Sequence, residues 1–198
     1  MTNSEVAWLK PDQVEAMRDV AHQGRNGHRD EALVTLLYDT GLRRAEAAAI
    51  DRDMLDLDDG TLFVPGPIQK DYPNDNSPPP VTMELDQSGD LRTVRSLRAF
   101  ISSRTDTSIA LWPGRSTDRL SPKAINNVVK RLAERADVRP HLQVGQGEPD
   151  DVSAHTLRHS VAYRMLRIEG KDIYAVKGRL RHASLSTTDR KYAHLDTV

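Results

Sequence analysis

The 198-residue sequence contains no cysteine, which excludes disulfides, thiolate metal sites and cysteine nucleophiles. No apolar run approaches the roughly 18 residues of a membrane-spanning helix, and Met1 to Lys10 lacks the basic-then-apolar order of a secretory signal. With 29% charged and 37% hydrophobic residues, the composition is that of a soluble globular chain, and a cytoplasmic address is expected. A Gly-x-x-x-x-Gly-Lys phosphate loop is missing, as is any carboxylate cluster suited to a metal, so no cofactor is expected. Nor is there a dominant charge: the net value is −1. The distribution is uneven, however. Residues 1–100 carry 11 Lys+Arg against 18 Asp+Glu, and residues 101–198 carry 17 against 11. Such asymmetry predicts one basic surface that can meet phosphates, beside the plainer reading of a lopsided mixed surface.

No internal repeat and no strand–helix alternation of the kind a parallel sheet needs is found; the pattern predicts many helices and a small antiparallel sheet, an α+β fold. Pro11 suits the first turn of a helix with Val14, Met17 and Val20 on one side. Gly24 to Gly27 break it, a second helix runs from about Arg29 to Thr40, and Gly41 stops it. Residues 42–49 read as a short helix. Asp58-Asp59-Gly60 joins two strands in a hairpin, and two further short strands are expected around the loop between Ile68 and Met83. Leu91, Val94, Leu97 and Ile101 mark a helix. Ser121-Pro122 start another, with Ile125, Val128, Val129 and Leu132 on one face and Lys123, Lys130 and Arg131 elsewhere. Helices are expected over His155–Gly170 and Asp172–Leu180. Thr187 or Thr188 can cap a last short helix holding Tyr192.

Residues three and four apart share a helix face, so His155, Arg158 and His159 can converge on one point. Three basic groups together suit a phosphate: arginine offers a planar fork of donors, and histidine a donor or a titrating proton. Taken alone, the same residues describe a solvated basic face. Arg181-His182 and, ten residues after His182, Tyr192 extend the set. A phenol with its pKa near ~10 is a poor nucleophile at neutral pH unless cations favour its ionised form, and an incoming phosphate needs those same cations.

These residues resemble the tyrosine recombinases, or phage integrases. The matching pieces are Thr40-Gly41-Leu42-Arg43 with Glu46, Lys70, His155-Thr156-Leu157-Arg158-His159, and the stretch from Leu180 through His182 and Thr187-Thr188 to Tyr192-Ala193-His194-Leu195. They occur in the family's order, from Trp8 nearly to the end. The resemblance implies the tyrosine recombinase catalytic-domain fold in one domain over residues 1–198, without the clamp domain that many members carry ahead of it. It implies a site-specific recombinase or integrase in which Arg43, Arg158 and His182 hold the scissile phosphate. Tyr192 attacks to give a 3′-phosphotyrosyl link, Lys70 protonates the leaving 5′ oxygen, and His155 assists proton transfer. Glu46 and His159 would support these groups from behind, and Arg44, Lys123, Lys130, Arg131 and Arg181 would meet the DNA. The implied partner is double-stranded DNA, on which the family assembles a tetramer; without DNA a monomer or weak oligomer is expected.

Three features depart from the family pattern. The sequence around Lys70 is Gln69-Lys70-Asp71 rather than the family's glycine-flanked lysine. Arg181 stands where a glycine usually precedes the histidine. One extra residue separates Thr187-Thr188 from Tyr192, which on a helix rotates the tyrosine by about 100°. The alternatives are therefore a catalytically impaired DNA-binding relative and a type IB topoisomerase-like relaxing activity. More distant is a metal-dependent hydrolase using His155, His159, His182 and His194, in which Arg158 would repel the cation.

Overall fold

The computed structural model describes residues 6–70 and 78–183, together with Thr188 and Tyr192. Helix α1 (Pro11–His22) packs on α2 (Gly27–Thr40), which also meets α4 (Thr93–Ser103) and α6 (Ala154–Tyr163). From Asp30 to Thr40 every residue of α2 is buried, so this helix is the hub of the core rather than an amphipathic cover. Its buried carboxylates are accordingly bonded. Glu31 accepts from Ser96 Oγ at 2.5 Å and Arg18 Nη2 at 3.0 Å, and Asp39 accepts from Thr93 Oγ1 at 2.7 Å and the Asp86 backbone N–H at 2.8 Å.

The short α3 (Arg44–Ala49) follows, then a three-stranded antiparallel sheet, β1 (Leu55–Asp56), β2 (Thr61–Val64) and β3 (Val81–Glu84), in that spatial order. Leu62 pairs with Leu55 and Met83, and Leu62 and Val64 point into the core. Of the two strands expected between Ile68 and Met83, only β3 forms among the described residues. Ile68, where the first of them is expected to begin, closes a 3-10 turn over residues 66–68, and Pro65 and Pro67 each lack the N–H that a ladder requires. Residues 71–77 of the intervening loop lie outside the described set.

Helix α5 (Pro122–Arg135) begins on a Ser121 cap, its hydroxyl accepting from the Ala124 N–H at 3.1 Å. The helix expected over 155–170 is in two parts: α6 ends at Tyr163 and the chain widens into a π turn over Arg164–Ile168. There the Arg164 guanidinium bonds to the carbonyls of Tyr38 and Asp39, both at 3.3 Å, and to Glu169 at 2.9 Å. Helix α7 (Ile173–Leu180) starts on Asp172 and ends at Arg181, whose backbone is left-handed. Of the final helix expected around Tyr192, only Thr188 and Tyr192 are described, both with helical backbone.

Candidate active site

The centre of the site is one turn of α6. Ser153 fixes where this helix starts by accepting from the Thr156 N–H at 3.2 Å, and Asn126 of α5 receives the Ala154 N–H at 3.1 Å. With the start fixed, His155, Arg158 and His159 fall on one face, and the rings of His155 and His159 lie 4.3 Å apart, edge to face. His155 is exposed, whereas Arg158 is 2% exposed. The Arg158 fork bridges two helix ends, Nη1 donating to the Gly41 carbonyl and Nη2 to the Leu180 carbonyl. Burial, with added repulsion from Arg43 and Arg181, lowers its pKa to about 9, which still leaves a cation at neutral pH. A guanidinium has five N–H donors, so these two bonds do not exhaust it.

Gly41 explains the Thr-Gly-Leu-Arg pattern physically. It ends α2 with φ +64°, and a Cβ there would come within 2.4 Å of Leu180 Cδ2. The tight stop carries Arg43 directly to the head of α3. Its guanidinium is bound by Glu46 Oε1 at 2.8 Å, and its N–H by Oε2 at 2.8 Å. Glu46 is 1% exposed and also accepts from Arg181 Nη2 at 2.6 Å. Burial by itself would raise the Glu46 pKa, but the Arg181 charge and the bonds to Arg43 outweigh it and hold the carboxyl below its ordinary range. After burial, Arg43 is the first of the two neighbouring charges that depress Arg158, so the two guanidiniums share one electrostatic locality.

Tyr192 closes the cluster from the far end of the sequence. It is fully buried, its hydroxyl lies 2.6 Å from His159 Nδ1, and its ring stacks on His182 with centroids 6.2 Å apart. His182 is held in turn by Thr188 Oγ1, 2.8 Å from its Nδ1. Burial pushes the Tyr192 phenol above its ordinary value, against the partial pull of Arg158 and Arg43. The extra residue ahead of Tyr192 thus leaves the phenol inside the histidine cluster.

A cavity of about 700 Å³ opens beside these groups, lined by Arg43, Arg44, Glu46, Lys70, Asn126 and His155 among others. Lys70, at the edge of the described residues, is exposed and faces the same space as Arg43 and His155. Arg44 and Lys123 are exposed, and Lys123 sits in the first turn of α5, whose Asn126 lines the cavity. Lys130 is half-buried further along that helix, and Arg131 pairs with Asp30 at 2.5 Å. Arg181 is placed differently from a side chain that reaches out to DNA: it is 9% exposed and its guanidinium lies against Glu46 and the Met83 sulfur. Sequence reasoning missed the Glu46–Arg181 pair, the Thr188–His182 bond and the direct contact of His159 with the phenol. The residues were all visible; only the folded distances join them. Among the described residues, no group of three or more His, Asp or Glu side chains gathers in a way that could hold a metal ion.

A helical domain with a small antiparallel sheet, two coupled arginines, three histidines and a buried tyrosine defines a tyrosine recombinase catalytic domain. The chain belongs to the phage integrase family, whose model matches residues 7–197. It is 34% identical over 169 residues to the tyrosine recombinase XerC of Pseudomonas syringae pv. tomato, covering 85% of this chain and 49% of that protein. It is 33% identical over 163 residues to the tyrosine recombinase XerA of Thermococcus kodakarensis, covering 81% and 49%. The chain therefore spans about half the length of these relatives. Among solved structures, it superposes on XerA recombinase with a TM-score of 0.72 at 20% identity, covering 98% of this chain and 62% of that one. The Tn1549 transposon integrase, in complex with transposon right end DNA, gives a TM-score of 0.73 at 16% identity, covering 98% and 63%. At those identities the likeness shows the fold.

Proposed function

We propose that this domain cuts and rejoins DNA at specific sites through a covalent bond between Tyr192 and a 3′ phosphate. The observation that carries the reading is one cavity lined by Arg43, Lys70 and His155, with Arg158 within electrostatic reach of Arg43 and the Tyr192–His159 pair packed behind His155. A scissile phosphodiester seated there meets the guanidiniums of Arg43 and Arg158 and the imidazole of His182, fixed donors that stabilise the extra negative charge at a five-coordinate phosphorus. The phenolic oxygen of Tyr192 attacks phosphorus. The P–O5′ bond breaks, the phenolic proton passes to an imidazole, and the leaving 5′ oxygen takes a proton from Lys70. His159 is suited to accept the phenolic proton when its own proton sits on Nε2, and His155, edge-on to it, can relay charge toward the cavity. Reversal by a 5′ hydroxyl from another strand rejoins the DNA, and the phosphotyrosyl ester conserves the bond energy meanwhile.

Because Tyr192 is buried with a raised pKa, the resting phenol is a neutral hydrogen-bonded group, and attack requires it to turn from the histidines toward the phosphate as DNA binds. The partner is double-stranded DNA, and recombination between two sites calls for a multimer assembled on it. The test is a nicked suicide duplex, from which the cleaved 5′ fragment diffuses away. The domain should become trapped in a denaturation-resistant adduct, and Tyr192→Phe should give none. An adduct undiminished in Tyr192→Phe would assign the nucleophile elsewhere, and tight DNA binding with no adduct would leave a DNA-binding relative without turnover.

A further inference from the structure

Arg181 occupies its position at visible cost. It ends α7 with φ +54° and ψ +47°, a left-handed conformation that L side chains rarely adopt, and its guanidinium is buried with Nε unbonded among the described residues. Its bonds run to Glu46 Oε2 at 2.6 Å and, more weakly, to Met83 Sδ at 2.9 Å and the Arg179 carbonyl at 3.4 Å. Glu46, itself 1% exposed, accepts the Arg43 side chain on its other oxygen. One buried carboxylate thus lies between two guanidiniums, one on the wall of the cavity and one behind it.

The charge count shows what the second guanidinium can do. With Arg43 alone, Glu46 forms a neutral pair, and Arg43 can turn to a phosphate only by leaving a buried carboxylate without its counter-ion, which is strongly unfavourable. With Arg181 in place the carboxylate stays neutralised when Arg43 moves, and the cluster keeps one positive charge for the ligand. We propose that Arg181 is a positioning residue: the standing counter-ion of Glu46, which keeps that carboxylate in place and frees the Arg43 guanidinium for a phosphate in the cavity. The proposal rests on the reading of the cavity as the scissile-phosphate site.

Two variants separate charge from fold. Arg181→Gly removes the side chain and relaxes the left-handed backbone, whereas Arg181→Met keeps bulk and strain. In single-turnover adduct formation at saturating DNA, both should be slower by about tenfold or more, with DNA affinity changed by less than about threefold. Removing the charge on Glu46 removes the need for its counter-ion, so adding Glu46→Gln to Arg181→Met should recover most of the loss. A merely structural Arg181 would make the double variant no better than the single. Inorganic phosphate, titrated into the folded proteins by calorimetry, supplies a readout independent of turnover, with the same order expected: wild type tightest, Arg181→Met weaker, the double variant restored. This phosphate pattern in a wild type that forms no adduct would sink the recombinase reading and leave the counter-ion role standing. Single variants that match wild type in both assays, a double variant without recovery, or a wild type that does not bind phosphate would each overturn the role.

Discussion

Glu46 shows how a residue at the back of the site governs those in front. A carboxylate that is 1% exposed is costly unless its lone pairs are filled, and here the Arg43 N–H, the Arg43 guanidinium and the Arg181 guanidinium fill them. Those bonds outweigh burial and lower its pKa, so the linkage has a definite sign. The native state holds Glu46 ionised more strongly than the unfolded chain does. Its contribution is therefore complete above the unfolded value of 4.5 and fades as pH falls through the lower, folded value. The stability gap between wild type and Glu46→Gln, measured by urea titration at a series of pH values, should be level near neutrality and shrink below 4.5. A gap that widens in acid would contradict the assignment of these partners. Arg158 has the opposite sense: burial and the neighbouring Arg43 and Arg181 lower its pKa, so the fold bears its charge at a cost that the Gly41 and Leu180 carbonyls, which receive its fork, offset only in part.

Elements bring these residues together by where they stop. The C-terminus of α2 at Gly41, the first turn of α6 and the C-terminus of α7 at Leu180 converge on Arg158, so the site is a junction of helix ends. Gly41→Ala should strain that junction twice, through its φ of +64° and through the 2.4 Å approach to Leu180 Cδ2. A loss of about 2 kcal/mol or more is expected in denaturant unfolding, with weakened phosphate-dependent function in whatever folds. An unchanged midpoint would show that the junction yields freely. Some helix boundaries were legible in the sequence because they are local: the stop at Gly41 and the starts at Ser121-Pro122 and Asp172 announce themselves by residue type. So was the shared face of His155, Arg158 and His159, which needs only helical spacing. Illegible were the π turn over Arg164–Ile168, where Arg164 binds carbonyls of α2 more than a hundred residues away, and the inward turn of Arg181 to Glu46, 135 positions earlier. The first of the two strands expected from Ile68 onward is not found among the described residues, where Ile68 instead closes a 3-10 turn that begins at Gly66.

At the scale of the whole molecule, the net charge of −1 conceals a division of labour. Most carboxylates of the first half are surface charges or, like Asp30, Glu31 and Asp39, internal partners of arginines and hydroxyls, while Arg43, Arg44, Lys70 and His155 surround one cavity. Binding led by phosphates releases counterions, so DNA affinity should fall steeply with salt, by about tenfold or more between roughly 50 and 200 mM. Salt-insensitive affinity in a filter or anisotropy assay would mean that the cavity is not where DNA is held. The extra residue before Tyr192, which on a bare helical wheel turns the phenol aside, is reconciled by the fold: the hydroxyl still reaches His159 and the ring still covers His182. The central claim is that this phenol becomes bonded to DNA. Mass spectrometry of the proteolysed adduct from a nicked suicide duplex tests it most directly. The account predicts one peptide, carrying Tyr192 esterified to a 3′-phosphate; a 5′-linked nucleotide, or linkage to a different side chain in a correctly folded domain, would contradict it.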